Sequence, residues 1–104
     1  MLYFVSHKYQ GDTANIDRVK RILHELQTKH TEHCFICPLL VFSHLEYGEI
    51  GFAAEMDLSL DILSACDGLI VASEISDGVQ QQEIDFANLV GMEVVNLAEK
   101  YRII

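Results

Sequence analysis

Proline occurs once in this chain of 104 residues and tryptophan not at all. With half of the residues hydrophobic and so little proline, the composition excludes a disordered tract or a proline-rich spacer. Basic residues are scarce as well: 7 Lys and Arg against 16 Asp and Glu give a formal charge of −9 with the histidines neutral. A field of that sign repels nucleic-acid polymers and anionic membranes, so neither is expected as a partner. Solubility is the plain reason for such an acid excess, and it leaves open a small nucleoside or nucleotide held by local contacts. No apolar run approaches the roughly 20 residues that cross a bilayer. Met1-Leu2-Tyr3-Phe4-Val5 has neither a basic region nor a small-residue cleavage site, so no signal peptide is expected and the chain reads as cytoplasmic.

Cysteine is also sparse. Three is an odd number, and without a secretion signal a disulfide framework is not expected. Cys34 and Cys37 form a C-x-x-C with His30 and His33 just ahead of it. The run from His33 to Cys37 has strand character, however, and residues three apart on a strand point to opposite faces. The other histidines, His24 and His44, add no metal-ligand spacing, so no metal and no cofactor are expected.

What is present reads as alternating strands and helices in one domain over residues 1–104. Leu2 to Ser6 is aromatic and β-branched, and reads as a first strand. The polar loop His7-Lys8-Tyr9-Gln10-Gly11-Asp12 follows, with Asp12 or Thr13 as helix cap. Ile16, Val19, Ile22, Leu23 and Leu26 make one apolar stripe, predicting a helix from about 13 to about 29. His33 to Cys37 is the second strand, stopped by Pro38. Residues 39–50 show no clean period and read as a long loop, of a kind that is often functional. A second helix is expected from about 51 to about 65, and a third strand from Leu69 to Ser73. A third helix from about 79 to about 90 closes on Gly91, and Glu93 to Leu97 is the fourth strand.

This order implies right-handed crossovers and a parallel four-stranded sheet ordered 2-1-3-4, flanked by helices, in an α/β domain of Rossmann-like or flavodoxin-like type. The chain then reverses direction between the first and third strands. The loops Ser6–Asp12 and Glu74–Gly78 flank the crevice at that switch point, where ligands bind in such sheets. Asp57, Glu74, Asp77 and Glu83 are the acids within reach of it. Glu83 is the most informative, because a carboxyl group near a helix start is favoured by the dipole and suits a glycosyl-accepting nucleophile. An acid that only complements the helix dipole is the plain alternative.

Tyr3-Phe4 on the first strand, Met56-Asp57-Leu58, Cys66-Asp67, and Asp77 six residues before Glu83 together resemble the nucleoside 2-deoxyribosyltransferase family and its small relatives. The resemblance runs in the same order over nearly the whole chain. It implies Glu83 as the nucleophile that holds the sugar as a covalent ester, with Tyr3 orienting it. It implies Asp57 as proton donor to the departing base and Asp77 as the residue holding the sugar hydroxyl end. Ser6, His7, Lys8, Gly11 and Gly78 would line the substrate, and Glu83, Tyr3, Asp57 and Asp77 would share one hollow. A carboxyl group at Asp77 favours an uncharged nucleoside, whereas Lys8 in its glycine-containing loop suits a 5′-monophosphate. Gln80, Gln81 and Gln82 stand where the family has small glycines, and are expected to crowd the sugar. No counterpart of the family's longer C-terminal part is read up to Ile104, and a homo-oligomer is expected to complete the site, through Leu39 to Phe42 or the tail from Tyr101 to Ile104.

Overall fold

Strand alternation at the centre of the sheet decides what each side chain can meet. The computed structural model describes residues 1–75 and 78–101. Its elements are β1 (Leu2–Ser6), α1 (Thr13–Lys29), β2 (Cys34–Ile36), α2 (Pro38–Val41), α3 (Phe52–Ser64), β3 (Gly68–Val71), α4 (Gly78–Leu89) and β4 (Glu93–Asn96). All neighbouring strands pair in parallel, in the order β2-β1-β3-β4. This is the expected α/β architecture, because every return between parallel neighbours must pass through a crossover.

Helices cover both faces. Val5, Ile70 and Ala72 pack under Val19, Ile22 and Leu26 of α1. On the other face Phe4, Leu69 and Val71 meet Leu63 of α3 and Ala87 of α4. Covered on both sides, β3 is buried from end to end, which is why Gly68-Leu69-Ile70-Val71 is apolar without alternation. Burial of each large aliphatic side chain contributes about 1.5–3 kcal/mol. No helix among the described residues is long and apolar enough to cross a membrane.

Local chemistry explains the helix ends. Asp12 caps α1, its Oδ1 accepting from the Ala14 N–H at 3.0 Å. Gly91, at φ +72°, takes the left-handed conformation that ends α4. Pro38 stops β2 as expected, but it also opens the short helix α2, since proline suits a first helical position that needs no N–H partner. The stretch 39–50 is therefore a short helix followed by irregular chain, where the sequence predicts loop throughout.

Tyr3 organises the end of the sheet far from the crevice. It faces the α1 side, stacks on Phe35 with centroids 5.8 Å apart, and meets the His33 ring edge-on at 5.3 Å. Its ring lies over Gly68, its partner in register on β3. A Cβ added at Gly68 would stand 2.6 Å from Tyr3 Cε1, and Phe35 and His33 leave that ring no room to yield. Gly68→Ala is expected to cost about 1–3 kcal/mol of stability in denaturant unfolding. Adding Tyr3→Leu should recover part of that loss; a Gly68→Ala protein as stable as the parent would show that the ring is not fixed.

Candidate active site

Ser6 ends β1 and shares its parity with Phe4, so it faces the layer of α3 and α4 rather than that of α1. There its Oγ donates to Glu83 Oε1 at 2.7 Å, and both residues are buried, Glu83 to 3 % exposure. Glu83 is not a helix-start acid. α4 begins at Gly78 and carries no acidic residue in its first turn, so Glu83 lies past the reach of free N–H groups. A carboxyl group taken out of water is costly unless hydrogen-bonded, and Ser6 supplies such a bond.

Glu83 opens onto a cavity of about 190 Å³ at the carboxyl ends of the strands. The walls come from every element that meets there. His7, Tyr9 and Gln10 enter from the loop after β1, and Leu39 and Phe42 from α2 and its end. Glu46 and Tyr47 come from the irregular chain, Phe52, Glu55, Met56 and Ser59 from α3, and Val79 from α4. Tyr9, Tyr47 and Phe52 form a row of rings, with centroids 5.2 Å apart at each step. Tyr47 and Phe52 remain 52 % and 58 % exposed, an uncommon surplus of aromatic surface beside a cavity.

The two loops at the switch point are tied together beneath this cavity. The Lys8 N–H and Gln80 Nε2 both donate to Ser73 Oγ at 3.0 Å, and Lys8 Nζ meets Glu74 Oε1 at 2.6 Å. His7 is buried, and its Nδ1–H donates to the Lys8 carbonyl at 2.7 Å. That bond fixes the tautomer and leaves Nε2 with its lone pair while the ring is neutral. Burial, the largest influence, lowers the His7 pKa below its ordinary 6.5. The positive charges of Lys8 and Arg18 act in the same direction, and the bond to the Lys8 carbonyl and the charge of Glu74 oppose them.

Of the residues expected at the site, Glu83 and His7 are on the cavity wall and Ser6 is bonded to Glu83. Tyr3 is elsewhere: its odd position on β1 turns it to the α1 face, at the opposite end of the strand, and its hydroxyl donates to Met1 Sδ at 3.8 Å. Asp57 is exposed and is not on the cavity wall. α3 reaches the cavity through Glu55, Met56 and Ser59, and a residue two positions after Glu55 is turned roughly 200° around the helix. Lys8 and Gly78 are also off the wall; Lys8 is engaged with Glu74, and Gly78 starts α4. Gly11, at φ +76°, gives the turn that lets the Tyr47 ring pack against it, 3.2 Å from where a Cβ would stand. Asp77 lies outside the described residues, as do positions 102–104 of the tail.

The three glutamines do not crowd the cavity as expected. Gln80 is buried against Ser73, Gln81 bonds Asp85 at 2.8 Å, and none of the three is on the wall. Glu46, Glu55, Tyr9, Tyr47 and Phe52 escaped the sequence reading. For Glu55 the i, i+4 relation to Ser59 was a usable signal; the irregular chain around Tyr47 offered none. The cysteines are separate and unpaired: Cys34 is exposed, while burial raises the Cys37 thiol to about 12 and the Cys66 thiol to about 11. Among the described residues no three His, Cys, Asp or Glu side chains are grouped to hold a metal ion. No family model, curated protein or solved structure matches the chain.

The sign of the His7 effect on stability follows from its burial. Native His7 binds its proton at lower pH than the unfolded chain does, so acid favours unfolding. The contribution is complete above pH 6.5 and is lost as the pH falls from there through the lower native value. Thermal unfolding between about pH 7.5 and about pH 5.5 should show a falling Tm whose slope His7→Asn reduces. Equal slopes in the two proteins would remove His7 as the cause.

Proposed function

We propose that this chain cleaves or transfers the N-glycosidic bond of a deoxynucleoside, with Glu83 as nucleophile. The observation that carries this reading is the buried Ser6–Glu83 pair, a carboxyl group fixed by a hydroxyl and opening onto a cavity instead of bulk water. A Glu83 oxygen attacks the anomeric carbon, the N-glycosidic bond breaks, and its electron pair leaves with the nucleobase. The sugar stays on Glu83 as an ester. Ser6 does the orienting expected of Tyr3, and Glu55 on α3 takes the proton-donating role expected of Asp57. Water or a second base then attacks the same carbon and releases Glu83, and the free Nε2 of His7 accepts the proton.

Size and lining support an uncharged nucleoside over a nucleotide. About 190 Å³ is below the range of about 300–1,000 Å³ for drug-sized sites, and suits one base with its sugar. Glu46, Glu55 and Glu83 face it and no Lys or Arg among the described residues does, which disfavours a phosphate. Lys8, the residue that suggested a 5′-monophosphate, is paired with Glu74. The rings of Tyr9, Tyr47 and Phe52 offer the faces on which bases stack. Three unpaired thiols go with a cytoplasmic setting.

A second reading, a nucleoside-binding module without turnover, is favoured by the placement of Tyr3 and Asp57 away from the cavity. One panel separates the two. Incubation with deoxynucleosides and their monophosphates should release free base, detectable by chromatography, from the nucleosides. Glu83→Gln should abolish release while nucleoside still raises the Tm. Phe52→Ala should weaken binding by about 1–3 kcal/mol, the usual worth of a base stacked on a ring. Binding without release in the parent protein would favour the module; neither binding nor release would exclude both.

Tyr47, Ile50 and Phe52 are exposed beside the cavity, and a second copy of the chain covering them is part of this proposal. Light scattering on the purified protein should give at least twice the 11.8 kDa chain mass. A monomer at micromolar concentration would remove the shared-site idea.

A further inference from the structure

We propose that a second recess, between α1 and the turn after β4, binds a small phosphate monoester through Arg18, Arg21 and Tyr101. The recess holds about 560 Å³ and is walled by these three residues with His7, Ile22 and Glu25. Glu83 is not on its wall, so the proposal does not depend on glycosyl chemistry.

Charge is the first argument. The chain has 7 basic residues against 16 acidic ones, yet Arg18, Arg21, Lys29 and Lys100 lie on or beside this one recess. Glu25, the acid on its wall, is already met by Lys29 and Lys100, each at 3.1 Å. Those bonds hold its carboxyl group below the usual glutamate range. Arg18 is oriented by a neutral partner, its Nη1 donating to Asn15 Oδ1 at 2.6 Å, so its charge is not cancelled. Arg21 has no hydrogen bond or ion pair among the described residues.

Geometry is the second. Arg18 and Arg21 are three residues apart on α1 and therefore project from one face. Two neighbouring guanidinium forks suit the several oxygens of a phosphate group, which arginine holds in bidentate fashion. The Tyr101 hydroxyl oxygen is buried, and among the described residues no acceptor takes its proton. A buried donor left without an acceptor is unfavourable, and a phosphate oxygen in the recess would supply the acceptor.

Titration calorimetry at constant ionic strength, with inorganic phosphate, ribose 5-phosphate and ribose, tests this. Saturable binding of the two phosphate compounds and none of ribose is expected, and stronger binding of ribose 5-phosphate than of phosphate would identify the monoester. Arg21→Ala, at an exposed position, should weaken binding by about tenfold or more, and Tyr101→Phe should weaken it while keeping the ring. Glu83→Gln should leave it unchanged. The proposal is overturned if the parent protein shows no saturable binding, or if Arg21→Ala and Tyr101→Phe bind as the parent does. Loss of binding in Glu83→Gln would overturn it too, by moving the anion into the other cavity.

Discussion

One hydrogen bond, from Ser6 to Glu83, joins the end of the central strand to the second turn of α4, and the character of the crevice depends on it. Without a donor at that point a carboxyl group so deeply buried would be a liability, and α4 would be better served by an apolar side chain there. The neighbouring bonds extend the same constraint. Ser73 accepts from both Lys8 and Gln80, so the loops after β1 and β3 and the start of α4 are tied together. Groups fixed in this way before a ligand arrives need no rearrangement to act on it, which is the condition for electrostatic preorganisation.

The parity of β1 distributes the roles. Tyr3 and Val5 face α1, Phe4 and Ser6 face α3 and α4, and one step along the strand exchanges the layers. Tyr3 therefore serves packing, as the lid over Gly68, while Ser6 serves the site. A tyrosine in a first strand and a glutamate in a later helix match a familiar sequence order, but order does not encode which face a strand residue takes. The same limit applied on α3, where Asp57 matched by order and Glu55 lies on the wall by rotation.

Much of the fold was legible because it rests on signals that are local and periodic. The stripe of Val19, Ile22 and Leu26 defined α1, the cap at Asp12 and the glycine at position 91 marked ends, and the run Leu69-Ile70-Val71 marked a strand buried on both sides. The strand order followed from crossover handedness, and with it the position of the crevice at the switch point. That topological reasoning put Glu83 and the loop that carries His7 at the crevice. The aromatic row was not, because Tyr9, Tyr47 and Phe52 come from a loop, an irregular stretch and a helix start, and only tertiary packing brings them within ring contact. The recess at Arg18 and Arg21 was hidden differently: on the sequence these are ordinary solvated residues off the apolar stripe, and only the turn that carries Tyr101 gives them an enclosing wall.

His7 lies on the wall of both hollows, and that position has a consequence for how the two are kept apart. On one side are three glutamates and on the other two guanidinium groups with Glu25, itself paired with Lys29 and Lys100, within a chain whose overall field repels anions. An anion drawn in by the arginines has no reason to cross toward Glu83, since every step past His7 exchanges cations for carboxyl groups. A charged imidazole between them would soften that boundary by offering an anion a third positive site. Burial acts against that charge and so works in the same direction as the charges that line the two hollows.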